Sequence, residues 1–217
     1  MRVKLDQELD ELSELLILMA QSSCSAVEEA FHSLQARNPE QAKQVAEQEA
    51  HINRMERRIE KMSLKLLLME QPVASDLRRV SSALKMITDL ERIADQAANI
   101  AEIALYWMRE STVSLVPGSL QEMAEAALEM TRSAIQAFLR EDEALARRVI
   151  AQDDDVDSFF LQVRGELAAQ MRQETGEADR VLDQLMVAKY LERIGDHAQN
   201  IAEWVIYFLT GEIEHYN

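Results

Sequence analysis

Glu91, Asp95, Asn99 and Glu102 follow one another at steps of four, four and three residues. At about 100° per residue they fall within roughly 80° of arc on a helix, a narrow stripe of oxygen ligands. Leu90, Ile93, Ala97, Ile100 and Ala101 fall on the opposite side. Glu192, Asp196, Asn200 and Glu203 repeat the stripe 101 residues later, opposite Leu191, Ile194, Ala198, Ile201, Ala202 and Val205. A second correspondence sits upstream of each stripe. Glu49-x-x-Ile52-Asn53 aligns with Asp153-x-x-Val156-Asp157, each giving two oxygen side chains four apart. If Glu49 and Asn53 face Glu91 and Asp95, and Asp153 and Asp157 face Glu192 and Asp196, each group presents about four oxygen ligands. An open, all-oxygen set of that kind suits hard or borderline divalent and trivalent metals. An ordinary solvated acidic face has the same pattern, and spacing alone does not tell whether the faces meet.

The stripes lie in a repeated segment. Glu91–Glu102, E-R-I-A-D-Q-A-A-N-I-A-E, returns as E-R-I-G-D-H-A-Q-N-I-A-E at Glu192–Glu203, with nine of twelve positions identical. The fifteen residues upstream share only four. An internal period of this size marks two copies of one supersecondary unit. Carboxylates four apart on a helix repel by a few tenths of a kcal/mol. That cost is kept in both copies while the neighbours drifted, which points to a stripe in use.

Helices must carry these residues. The chain of 217 residues holds five Gly and three Pro, and Ala, Leu, Glu, Gln, Arg and Met dominate it. That composition favours an all-α protein. Apolar spacing and breakers give a first helix over about 3–35, a second over 39–70 and a third over 73–110, with Asn38-Pro39 and Pro72 as punctuation. Pro72 is expected to open the third helix from its first turn. Ser111–Gly118 is the clearest boundary, and the order then repeats over about 119–139, 142–172 and 177–210. The corner between the fourth and fifth helices lacks Gly or Pro and is placed near Arg140–Asp142. The expectation is two tandem three-helix antiparallel bundles, residues 1–112 and 117–217, with Met and Leu filling the core.

The formal charge of −16 disfavours nucleic-acid backbones and anionic lipid, and suits cations and basic partner surfaces. Cys24 is the only cysteine, so no internal disulfide forms, and packing is its expected role. The first residues lack a signal-peptide core, and Leu15–Ala20 and Trp204–Leu209 are too short to span a bilayer. A soluble, intracellular protein is expected.

Other chemistries find little support. Glu29-x-x-His32 and Glu212-x-x-His215 match the short di-iron pattern of ferritin-like bundles, but both lie near helix ends. His197 points roughly 100° away from Asp196, toward an expected solvated surface, and His51 is at best an outer ligand. No Gly-rich phosphate loop, G-x-S-x-G or H-E-x-x-H occurs. Binding rather than catalysis is the default, with a metal-dependent oxidase or hydrolase on a helical bundle as the alternative. Heptads do not run past the Pro breaks, which argues against a coiled-coil adaptor.

The doubled E-R-I-x-D-x-A-x-N-I-A-E segment, Gln71-Pro72-Val73-Ala74 with Asp76-Leu77-Arg78, Glu49-x-x-Ile52-Asn53 and Asp153-x-x-Val156-Asp157 resemble the PhoU family over essentially the whole chain. These are the bacterial accessory regulators of phosphate-specific ABC transport. The resemblance implies six helices in two repeats, often as a homodimer, at the cytoplasmic side of the membrane. It implies a non-enzymatic negative regulator of the phosphate-starvation response and of phosphate uptake. Its partners would be a sensor histidine kinase of the phosphate regulon and the ATPase subunit of the phosphate transporter. It also implies metal on Glu/Asp pairs, one set per repeat, and iron, zinc, manganese, magnesium and nickel all remain open. By position the second set, Asp153, Asp157, Glu192 and Asp196, is complete. The first has Glu49, Asn53, Glu91 and Asp95, where Asn53 is a neutral, weaker ligand and Glu49 stands where the family commonly has Asp.

Overall fold

A computed structural model describes residues 2–109, 116–172 and 178–212. Among them six helices run in order: α1 Arg2–Ala36, α2 Pro39–Met69, α3 Ser75–Arg109, α4 Gly118–Arg140, α5 Glu143–Met171 and α6 Ala178–Thr210. No helix among these residues is long and apolar enough to cross a membrane.

Local chemistry sets the corners. Asn38 caps α2, its side-chain oxygen accepting from the amides of Glu40 (3.1 Å) and Gln41 (3.4 Å), with Pro39 in the first turn. Pro72 does not open α3 from its first turn. Gln71 and Ala74 both take positive φ (46° and 49°), which interrupts the helix, and α3 begins at Ser75 with Pro72 buried in the link. The α4–α5 corner closes without glycine. Glu141 adopts the left-handed conformation at φ 53°, the Asp142 amide donates to Ala137 O at 2.9 Å, and Asp142 then caps α5 by accepting from the Leu145 amide at 2.9 Å. The Thr175-Gly176 break and most of Ser111–Gly118 lie outside the described residues.

Helices α1, α2 and α3 pack against one another, as do α4, α5 and α6. The two sets meet along α3 and α6, with a smaller contact of α1 on α4, while α2 touches neither α5 nor α6. One continuous core runs through all six helices. Three polar ties fix α3 and α6 as antiparallel. Arg78 Nε donates to Phe208 O (3.0 Å), His197 Nδ1 meets Asp89 Oδ1 (2.9 Å), and Trp107 Nε1 donates to Asp183 Oδ2 (2.8 Å). That register brings Ile93 and Ile194, both fully buried, to the same level. They are the same position of the two repeated segments, so the repeats cross at equivalent residues. The small Ala97 and Ala198, one turn further along each helix, are also buried.

Candidate functional site

The apolar sides of the two repeated segments face each other across α3 and α6, so their oxygen stripes turn outward, toward α2 and α5. At the α5–α6 seam Asp153 and Asp157 lie within electrostatic reach of Glu192 and Asp196, and at the α2–α3 seam Glu49 lies within reach of Glu91.

At the α2–α3 seam, Asn53 Nδ2 donates to Glu49 Oε1 at 2.7 Å. Asn53 Oδ1 is buried and has no hydrogen-bond partner. Burial holds the Glu91 carboxyl above its usual range, and negative charge on Asp95, Glu56 and Glu49 adds to the lift against the pull of Arg92. Arg92 reaches Asp95 Oδ2 at 3.2 Å and Glu91 Oε2 at 3.5 Å. Glu56 is raised as well, first by burial, then by Glu60 and, more weakly, Asp95. Sequence reasoning missed Glu56 and Glu60, although Glu49, Asn53, Glu56 and Glu60 continue one line at steps of four, three and four.

The α5–α6 seam is more strongly charged. Burial and the neighbouring Asp196, Asp157, Asp154 and Glu192 push Asp153 up to about 6. Asp157 is raised by burial, Glu192 and Asp154, and Asp196 by burial and Glu192. Asp153 carries the large shift of the set, and the raised Asp157, Asp196, Glu91 and Glu56 act in the same direction. Lys189 bonds Glu192 and lies 5.5 Å from the Phe160 ring centre, closing one end of the patch. Asp153 lies against the α6 backbone. A Cβ on Gly195 would stand 3.4 Å from Asp153 Oδ1 and 3.3 Å from Val156 Cγ1. The other repeat carries the buried Ala94 at this place and the longer Glu49 where Asp153 stands.

Both donor sets suit a hard cation. One offers Glu49, Glu91 and Asp95 together with the buried amide oxygen of Asn53, and the other offers Glu192 with Asp153, Asp157 and Asp196, whose carboxyls burial and like charge hold above their usual range. Among the described residues, no three His, Cys, Asp or Glu side chains converge as a ready-made metal cage. Arg92 and Lys189 instead hold part of the acidic charge.

The remaining predicted residues sit elsewhere. His197 is not on a solvated surface. Its side chain is 22 % exposed and it is held by Asp89 in the α3–α6 seam, with Asn200 Nδ2 donating to the same oxygen at 3.2 Å. The second stripe therefore divides: Glu192 and Asp196 face α5, while Asn200 ties the two halves together. His51 lines a groove facing α1 and His32 one between α1 and α4, so neither joins a carboxylate patch. His215 lies outside the described residues. Cys24 is buried, and burial pushes its thiol up to about 11, which leaves it protonated at neutral pH.

Acid strengthens the metal-free fold over a defined window. Native Asp153 holds its proton up to about pH 6, against an ordinary 3.8 for the unfolded chain. The native state thus binds more protons between these values, and stability falls as pH rises through them. In metal-free protein the melting temperature is expected to rise on acidification from pH 7 to pH 5. Asp153→Asn should raise it at pH 7 and reduce the dependence, the raised Glu56, Glu91, Asp157 and Asp196 keeping the rest. A melting temperature that falls over this interval in the wild type, measured by circular dichroism with chelator present, contradicts the assignment. Glu8 and Glu166, whose carboxyls are lowered by hydrogen bonds from Lys65 and from Ser119 and Gln162, oppose the trend only in more acidic solution.

The fold and its repeated seams match known proteins. The PhoU domain model matches residues 16–104 and 120–205, one segment in each half. A phosphate-specific transport system accessory protein PhoU homolog of Aquifex aeolicus is 35% identical over 211 residues, covering 97% of this chain and 95% of that protein. One from Pseudomonas putida is 35% identical over 204 residues, covering 94% and 80%. The crystal structure of PhoU from Pseudomonas aeruginosa superposes with a TM-score of 0.91 at 34% identity, over 95% of this chain and 99% of that one. The phosphate transport system regulatory protein PhoU from Streptococcus pneumoniae gives 0.89 at 26% identity, over 98% and 100%. The chain belongs to the PhoU family.

Proposed function

We propose that this chain is an accessory regulator of phosphate transport that acts by contact rather than turnover, and that its two carboxylate patches take up divalent or trivalent metal. In this reading it restrains the phosphate-starvation response and phosphate uptake. Its partners are the sensor histidine kinase of the phosphate regulon and the ATPase subunit of the phosphate transporter. It works at the cytoplasmic face of the membrane, as a homodimer, with the repeats 1–112 and 117–217 each holding one patch. The names of its relatives support the phosphate-transport setting. The single observation that carries the binding role is the α5–α6 patch, where Asp153 is pushed up to about 6 by burial and four neighbouring carboxylates. Filling such a patch with a hard cation would relieve that mutual repulsion and tie α5 to α6 through shared oxygen ligands. Glu192 and Asp196 would hold it from α6, Asp153 and Asp157 from α5. Glu91 and Asp95 with Glu49 and Asn53 would do so at the other seam.

The reading is tested in a bacterium lacking its own PhoU and carrying a phosphate-starvation reporter. Expression of this chain in phosphate-rich medium is expected to return the reporter to its repressed level. Reporter output that stays the same with and without the chain, at verified expression, would remove the regulatory role.

A further inference from the structure

The outer side of α2 carries a line of residues with no counterpart in the other repeat. Arg54, Arg57, Lys61, Leu64 and Leu68 follow at alternating steps of three and four, opposite the buried Ile52, Ile59 and Leu66. The line is about 21 Å long at 1.5 Å per residue. All five side chains are exposed, Leu64 at 47% and Leu68 at 77%. The apolar end runs on to Met69 and Val73, at 71% and 69% exposed. Single exposed leucines are unremarkable on a soluble protein, but a continuous run marks a contact surface. The positions 104 residues later are Ser158, Leu161, Gly165, Ala168 and Arg172, so the fold itself does not require the pattern.

The charges are as informative. In a chain of net charge −16, Arg54, Arg57 and Lys61 form no ion pair or hydrogen bond with any described residue. The flanking cations are already engaged, Lys65 with Glu8 at 2.9 Å and Arg58 with Glu11 at 3.5 Å. Arg57 feels the charge of its neighbour Glu56, and Lys61 shares a groove with Glu8 and Glu11, yet none of the three cations bonds a carboxylate, which leaves their donors open to carboxylates from outside.

We infer that this line docks one amphipathic helix of another protein, with apolar residues over Leu64 and Leu68 and carboxylates over Arg54, Arg57 and Lys61. Steps of three and four are the spacing along which a second helix seats its side chains. A helix lying on a bilayer would flank an apolar side with cations along its whole length. Here charge and leucine follow each other along one line instead, and the adjoining α1 exposes Asp10, Glu11 and Glu14. A second copy docked antiparallel on the same line would set Lys61 against Lys61 and Arg54 against Leu68. The inference rests on the reading of this chain as one that works by contact, and its test needs no metal.

The test uses the full chain and a fluorescein-labelled synthetic helix of roughly 20 residues, long enough to cover the line. Its contact edge carries leucines in one half and glutamates in the other. Fluorescence anisotropy is expected to show saturable binding. Arg54→Glu, Arg57→Glu and Lys61→Glu combined should weaken it at least about tenfold, as should Leu64→Ser with Leu68→Ser. A helix with lysines for the glutamates should regain binding to the charge-reversed variant. Circular dichroism of the variants should match the wild type, since every altered side chain is exposed. Absent binding, or equal binding to wild type and the charge-reversed variant, overturns the inference. So does loss of sedimentation with phosphatidylglycerol vesicles in these variants without any binding of the synthetic helix, which would assign the line to lipid. Binding as expected with an unresponsive reporter would remove the regulatory reading and leave the surface. Lost docking with a repressed reporter would do the reverse.

Discussion

Glu192→Ala combined with Asp196→Ala is expected to abolish cation uptake at the α5–α6 patch and leave the helical fold intact. The two substitutions remove both α6 oxygen ligands and leave Asp153 and Asp157 alone on α5. Substituting even residues that only orient a metal ligand commonly costs 10–100-fold in affinity, so losing two ligands should weaken binding by more than about 100-fold. Isothermal titration with Mn²⁺ and elemental analysis of purified protein measure this directly. The α2–α3 patch should still bind, more weakly, because the neutral Asn53 replaces a carboxylate there. The fold should tolerate the change, since Glu192 and Asp196 repel their neighbours when no cation is present, and removing like charges relieves that repulsion. Unchanged Mn²⁺ affinity and stoichiometry in the double variant would sink the proposed site.

Ile93→Ala should be among the most destabilising single substitutions in the molecule. Ile93 and Ile194 are both 0% exposed where the two repeated segments cross. Truncation there removes buried methyl groups from a place held on both sides by long helices. The backbone has little room to relax, so a cavity remains. Such changes cost about 2–5 kcal/mol, which for a chain of this size corresponds to a fall in melting temperature of roughly 5–15 °C. Ile194→Ala should cost a similar amount. The double variant should cost less than the sum, because neighbouring side chains share one cavity. Leu64→Ala, on the outer side of α2, is the control and should change stability by less than about 0.5 kcal/mol. A cost below about 1 kcal/mol for Ile93→Ala, measured by chemical denaturation, would show that the crossing is not the centre of the fold.

The helices were legible because their apolar positions recur at helical spacing and few glycines or prolines interrupt them. Their ends were legible only where a side chain signals the turn. Asn38 with Pro39 marks α2 plainly, and Asp142 would have marked α5 as a capping residue. The positive φ of Gln71, Ala74 and Glu141 carries no such signal, because none of the three is a glycine or asparagine, the residues that mark a left-handed position. This is why Pro72 reads as a helix start and lies in a link instead.

At the candidate site the two stripes were legible from their repetition. Their facing partners Glu49, Asn53, Asp153 and Asp157 were legible as pairs but not as neighbours of the stripes. The differences between the repeats turn out to be linked. Ala94 accompanies the longer Glu49, whereas Gly195 accompanies the shorter Asp153, which lies against the α6 backbone. His197 was misplaced because a helical wheel gives direction but not what lies across the seam. Asp89, which receives it, is matched in the other repeat by Tyr190, so no repetition pointed to the pair.

Among the described helices, α2 packs on α1 and α3 and not on α4, α5 or α6. It is therefore a rod with two working edges, one lined by Glu49, Asn53 and Glu56 and the other by Arg54, Lys61 and Leu68, about a quarter-turn apart. Anything that draws the first edge toward α3 must roll or slide the second with it, since a helix of this length moves as one rigid piece. Occupancy at one side could then set how well the other receives a visitor, with no rearrangement of the central α3–α6 crossing.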